Sequence, residues 1–272
     1  MGWRTLSAFE IEQPEKQLNS ANDWNLVSVV DTFKPGYIRR THFAGRTFIG
    51  ENVVLSNVGT ISDYRLEAGC IIQNVSELSY SGYSFDFPVE VRNEDGSHTI
   101  AACPEMIAAD AFLASEGPEN SLLRSMGSTA GKYASMPCGC IGKNVIVRNV
   151  TTLRNVYLED YAVIMDSTLL ENVMVHSSKV EPTSIGAGTI VHNAIVGLKN
   201  MVDTNAIVRN VVLGNNVSLT DGLRISHCVV GDNSHLACCE VLHSLIFPFH
   251  EQHHNNSFLI ASMLQGQSNV AA

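Results

Sequence analysis

Six of the ten histidines fall in the last fifty residues, at His227, His235, His243, His250, His253 and His254. Imidazole titrates near neutrality, so histidines clustered on one surface can act as general bases or bind polar ligands. The densest stretch runs from His250 through Glu251, Gln252, His253 and His254 to Asn255 and Asn256. Read as a site, it is a groove. His253 or His254 serves as base, with Glu251 orienting it. Asn255 and Asn256 hold substrate hydroxyls, and His235 and His250 line the substrate. Read blandly, it is a polar ladder on a solvated face. His250 to His254 also spells H-E-x-x-H, but the protease signature needs a helix to turn both histidines to one metal. Pro248 before it and the two asparagines after it argue against a helix. Cys138, Cys140, Cys238 and Cys239 are spaced too irregularly for a zinc site and read as small inward-facing residues. No metal ligand is assigned. His192 is a further candidate base, with an outward, solvent-facing position as its plainer reading.

What would position these groups is a repeat. Ile141–Asn149 recurs at Leu158–Asp166, Ile185–Asn193 at Val202–Asn210, and Leu213–Asp221 at Val230–Cys238, each 17 residues on; another copy is Ile49–Asn57. Aliphatics at the first and seventh positions set a six-residue unit, and three units make one coil of a three-sided β-solenoid. The fourth position carries Asn52, Asn144, Gly188, Asn205, Asn216 or Asn233, with Tyr161 as the exception. These residue types tolerate the positive φ of a tight corner. One coil is about a strand spacing, so His235 and His253, 18 apart, and His227 and His243, 16 apart, are expected to be neighbours. His192 takes the same repeat position as Arg148 and Arg209.

The repeat covers residues 47–75 and 139–247. Residues 1–46 read as an N-terminal cap, with a short helix over 5–20 broken near Pro14. Residues 47–272 form the β-helix domain, interrupted by a small α+β insertion at 76–138. Within the insertion, Val89–Arg92 and Ser97–Ile100 flank a turn and predict a hairpin. Pro104 predicts a helix start, and a second helix is expected over 119–134. Residues 250–272 lack a recognisable capping helix, so either they form an unusual cap or the chain is the front portion of a longer molecule.

Hydrophobic residues make up 45% and aromatics 7%, suited to a thin solenoid filled by aliphatics. A net charge of −10 disfavours nucleic acid and anionic membranes as partners. No stretch reads as a signal peptide or a membrane span, so a cytoplasmic location with seven reduced cysteines is expected. There is no P-loop or dinucleotide fingerprint.

The repeat resembles the hexapeptide-repeat, left-handed parallel β-helix superfamily typified by UDP-N-acetylglucosamine acyltransferase. Left-handedness is implied by that resemblance. The segments Asp23–Trp24, Gly45–Gly50, His250–Ser262 and Gly266–Ala272 are similar to an uncharacterised bacterial hexapeptide family whose members are longer. The resemblance implies a homotrimer. It also implies transfer of an acyl group from acyl-CoA or acyl carrier protein, as co-substrate rather than bound cofactor, to a sugar or sugar nucleotide, with one histidine as base. The three-histidine spacing of the superfamily's carbonic anhydrases is not found. The alternative is a non-catalytic scaffold or sugar-binding module.

Overall fold

The structure, a computed structural model, describes residues 2–83, 85–116 and 136–271. It is mainly β: short parallel strands stack as a three-sided solenoid, with two α-helices among the described residues. Each coil runs through a first, a second and a third side. On the first side, Ile49 pairs with Leu66, then come Ile141, Leu158, Val175, Val196, Leu213, Val230 and Ile246. On the second, Leu55, Ile72, Val147, Ile164, Ile185, Val202, Leu219 and Leu236 are successive partners. The third side stacks Ile61, Leu78, Leu153, Leu170, Val191, Val208, Ile225 and Val241. These aliphatics point inward and form the buried core. Parallel strands closed on themselves leave each backbone group bonded to the coil above or below.

The 17-residue offsets are thus register offsets. The copies begin on different sides, however. Ile141, Leu158, Leu213 and Val230 start on the first side, whereas Ile185 and Val202 start on the second. All the predicted corner residues, Tyr161 included, have φ between 54° and 68°. His192 consequently shares the third side with Glu171 and Arg209, while Arg148 lies on the second.

Three boundaries differ from expectation. The solenoid begins upstream of Thr47: Val27–Val29 pairs in parallel with Thr47–Ile49, and Ile38–Phe43 with the strand from Val54. This coil was hidden by irregular side lengths. Helix α1 (Ala8–Lys16) contains Pro14 instead of breaking there, because the proline falls in its last turns. Strand pairing persists to Ser79, so the insertion leaves the corner between the third and first sides there, and returns at Gly139. Leu66 pairs with Ile141 and Leu78 with Leu153, so the coil before the insertion stacks directly on the one after it.

In the insertion, Pro88–Glu90 and Thr99–Ala101 form the antiparallel hairpin and α2 spans Ala108–Ser115; the expected 119–134 helix lies outside the described residues. The insertion lies across the outer face of the first side. Phe85, Phe87, Val89, Ile100, Met106 and Ala111 bury outward-facing Met174, Ile195, Val212, Val229 and Leu245. Full burial of such side chains is worth roughly 1.5–3 kcal/mol each, so the insertion is part of the fold's core. No helix among the described residues is long and apolar enough to cross a membrane.

Candidate functional site

The second side carries the predicted cluster on its outer face. His235 pairs with Glu251, 16 residues on, and not with His253, 18 on; the regular offset is 17, and the intervening coil has one residue fewer between its second and third sides, where Leu236 to Val241 replaces the six-residue step of Leu219 to Ile225. The Glu251 carboxylate therefore sits between two imidazoles. Its Oε2 is 3.4 Å from His235 Nδ1 and 3.8 Å from His253 Nδ1. These are ion-pair spacings, longer than a hydrogen bond. The His235 and His253 rings stack at 6.0 Å between centroids, and His254 stacks on His253 at 5.0 Å. The arrangement turns Nδ1 of both His235 and His253 toward one carboxylate. His235, Glu251 and His253 are each between 42% and 49% exposed, so the cluster is open to solvent.

The other predicted residues separate from it. His250 lies on strand His250–Gln252 but faces inward and is fully buried. Its Nδ1 is 2.9 Å from Ser268 Oγ and its Nε2 3.2 Å from Gln252 Oε1, while its backbone N–H donates to Ser234 Oγ. Burial pushes its pKa down, against smaller opposing effects of its hydrogen bonds to Gln252 and Ser268 and of Glu251. It is a core residue and does not line a substrate surface. The strand conformation also denies H-E-x-x-H its helical geometry. Asn255 and Asn256 lie around the next corner, where with Arg224, Cys238, Glu240 and Phe258 they line a cavity of about 340 Å³. Asn256 is itself a corner residue at φ 64°. His192 points out from the third side, 3.6 Å from Glu171, in a row with Arg154 and Glu77. The seven cysteines are free thiols, and no potential metal-binding group of three among the described residues includes one.

Two arrangements escaped the sequence reading. Glu159 and His176 are 17 apart, the repeat offset itself, and follow the register partners Leu158 and Val175. His176 Nδ1 is 3.2 Å from Glu159 Oε1, and Nε2 is 3.2 Å from the carbonyl oxygen of Pro104 in the insertion. Both ring nitrogens thus face acceptors, and the histidine pins the insertion to the solenoid. Beside this pair, Arg65, Lys143, Lys179, Glu159, Asp160 and Tyr157 line a cavity of about 510 Å³. Four extra residues between Val175 and Ile185 bulge out as one wall, a feature visible in the sequence as a broken repeat interval. The second arrangement joins His227 and His243, expected neighbours, with Glu90 of the insertion.

Residues 46–269 match the model of a family described as a domain of unknown function (DUF4954), and the chain belongs to that family. An uncharacterized protein of Treponema pallidum (strain Nichols) is 32% identical over 317 residues, which cover 99% of this chain and 44% of that protein. The chain therefore spans less than half the length of that relative.

Proposed function

We propose that the chain is a left-handed, hexapeptide-type transferase module. It moves an acyl group from acyl-CoA or acyl carrier protein to a hydroxyl or amine of a sugar or sugar nucleotide. His253 is the general base, and Glu251 positions it. His253 Nε2 takes the acceptor's proton as the acceptor's oxygen or nitrogen attacks the thioester carbonyl carbon. The C–S bond breaks, and the proton passes to the departing thiolate. His235 shares the carboxylate, and His254 stacks on the base. The observation that carries this reading is the position of Glu251 Oε2 between the two Nδ1 atoms. The module works in the cytoplasm as a homotrimer, in which a neighbouring copy supplies the second wall of an otherwise open site.

The test is thiol release from a panel of acyl-CoAs with sugar nucleotides as acceptors. His253→Ala lowers kcat about 10²–10⁴-fold, the usual contribution of a positioned base. Glu251→Gln lowers it less, and light scattering gives three chains per particle. Transfer that survives alanine at both His253 and His254 sinks the assignment. A second reading, a non-catalytic scaffold or sugar-binding module, is favoured by the nearly half-exposed side chains of the cluster. It predicts no turnover in any variant. A thermal-shift response to sugars alone would mark a binding module, and no response to either ligand class a scaffold.

A further inference from the structure

The corner between the third and first sides carries one continuous ladder of side chains. The Asn155 amide donates to Asn172 Oδ1, Asn172 to Asn193 and Asn193 to Asn210, at 2.8–3.0 Å. All four residues have positive φ, as the corner demands, and asparagine serves that need at low cost. At the next two coils the column changes to histidine. His227 and His243 hold the same left-handed corner, at φ 53° and 47°. Corner geometry does not call for imidazole, because asparagine fills the four preceding coils. The change coincides with the arrival of Glu90, on the insertion strand Pro88–Glu90.

The three residues converge. The His227 and His243 rings are parallel within 3°, with centroids 4.8 Å apart. Glu90 Oε2 is 3.6 Å from His243 Nδ1. One ligand atom from each of the three lies within 4.8 Å of the others. His243 Nδ1 is shut off from solvent yet has no hydrogen-bond partner. A buried polar nitrogen in that state is costly unless something fills its lone-pair direction. His227 Nδ1 takes a long, weak bond from the Glu90 backbone N–H at 3.3 Å, which a cation at that nitrogen would replace, and its Nε2 is 3.0 Å from the Asn210 amide nitrogen. Arg92 of the insertion pairs through Nη1 with Glu116 at 2.6 Å, and its Nη2 contacts His98 Nδ1 and the Ser115 carbonyl.

We propose that Glu90, His227 and His243 bind a divalent late first-row cation of the zinc type, which ties the insertion to the solenoid. Two imidazoles and one carboxylate are a donor set such cations take, with bonds of about 2.0–2.2 Å. Tetrahedral ligands then lie about 3.4 Å apart. The Glu90–His243 spacing of 3.6 Å is already close to this, and the other spacings, within 4.8 Å, need to close by at most about 1.4 Å. With neutral imidazoles the three groups carry one negative charge, which a dication offsets. The site is separate from the exposed His235–Glu251–His253 cluster and does not depend on the transfer reading.

The test uses the full chain with His235→Gln and His253→Gln, which disables the exposed cluster. The protein is stripped with chelator and titrated with Co²⁺ and Zn²⁺. One equivalent is expected to bind, with visible d–d absorption for cobalt. Bound metal should slow proteolysis and amide exchange across residues 88–101. Adding His243→Asn should weaken binding on the order of a hundredfold or more, beyond the loss typical when only a hydrogen-bond partner of a ligand is changed. This substitution keeps the fold, since asparagine extends the existing ladder, and unchanged circular dichroism checks that. Glu90→Gln should act in the same direction. Absence of saturable uptake, or uptake indifferent to both His243→Asn and Glu90→Gln, overturns the site. Uptake without protection of residues 88–101 overturns its role in tying the insertion down.

Discussion

Tyr64→Phe removes one oxygen at the point where the insertion rejoins the solenoid, and the structure sets the cost. Tyr64 is fully buried. Its ring passes through the space where a side chain on Gly139 would be: a Cβ there would clash with Tyr64 Cε1. The hydroxyl donates to the Val156 carbonyl at 3.0 Å and accepts from the Val156 N–H at 2.9 Å. The returning strand first pairs with its successor at Cys140 and Tyr157, so a phenol satisfies both backbone groups of Val156 where a strand partner would otherwise do so. Burial pushes the Tyr64 pKa well above its ordinary value, so the donor persists at any working pH. Phenylalanine would leave one buried donor and one buried acceptor unpaired, at about 1–3 kcal/mol each. The expected loss is about 2–5 kcal/mol, or roughly 5–15 °C in Tm for a chain of this size. The assay is urea and thermal unfolding by far-ultraviolet circular dichroism, with amide exchange at Val156. Tyr80→Phe, which removes only a half-buried bond to the Tyr83 carbonyl, is the control and should cost about 1 kcal/mol. The reasoning fails if Tyr64→Phe lies within about 0.5 kcal/mol of wild type and the Val156 amide stays protected.

Gly139→Ala should destabilise as severely as Tyr64→Phe, and the double variant should lose less than the sum, because both act on one ring; a double-mutant cycle reads this coupling. In the asparagine ladder, Asn172→Ala loses two side-chain bonds and places alanine at φ 57°, for about 2–3 kcal/mol, whereas Asn172→Gly should cost about 1 kcal/mol less because glycine accepts that φ. Equal losses for the two would show that corner strain is negligible. His250 gives a pH signature. Its folded pKa is depressed by burial, so the folded state favours neutral imidazole; the stabilisation is full above the unfolded value near 6.5 and is lost as pH falls below it. His227, lowered by burial and by His243, has the same sign. With the intrinsic pH dependence of exchange divided out, amide protection at Gln252 and Asn269 should therefore fall between about pH 7.5 and 5.5, and His250→Gln should flatten that response; protection that stays constant in the wild type contradicts the burial of a neutral His250.

The fold was legible because one physical requirement repeats. Each coil places an aliphatic inward on every side and a left-handed residue at each corner, so Ile141 and Leu158, or Leu213 and Val230, announce their pairing by spacing alone. The first coil was not legible, since from Val29 to Ile38 and Phe43 its sides have unequal lengths and only three-dimensional stacking shows the pairing. Tyr64 and Gly139 were invisible for a different reason. Their relation is created by the chain's return after a long excursion, and the sequence offered only a glycine between two cysteines.

The histidines show the same division more sharply. Proximity along the chain suggested that His250, His253 and His254 act together, but side chains on a strand alternate, and the odd step of three residues from His250 to His253 separates a buried core imidazole from an exposed one. Proximity across coils proved the better guide. His227 over His243 was expected from near-repeat spacing and is a parallel stack; Glu159 beside His176 sits at the unaltered repeat offset and was open to the same reasoning. What no spacing could supply is Glu90, because the insertion carries no repeat and its placement over the first side is fixed by apolar contacts with Met174, Ile195, Val212, Val229 and Leu245. Those outward apolar residues are the legible trace of the covering. On strands such as Ile207–Leu213 and Arg224–Val230 three consecutive buried positions replace the alternation of a half-exposed strand, so such a run in a solenoid sequence marks the side that another segment occupies.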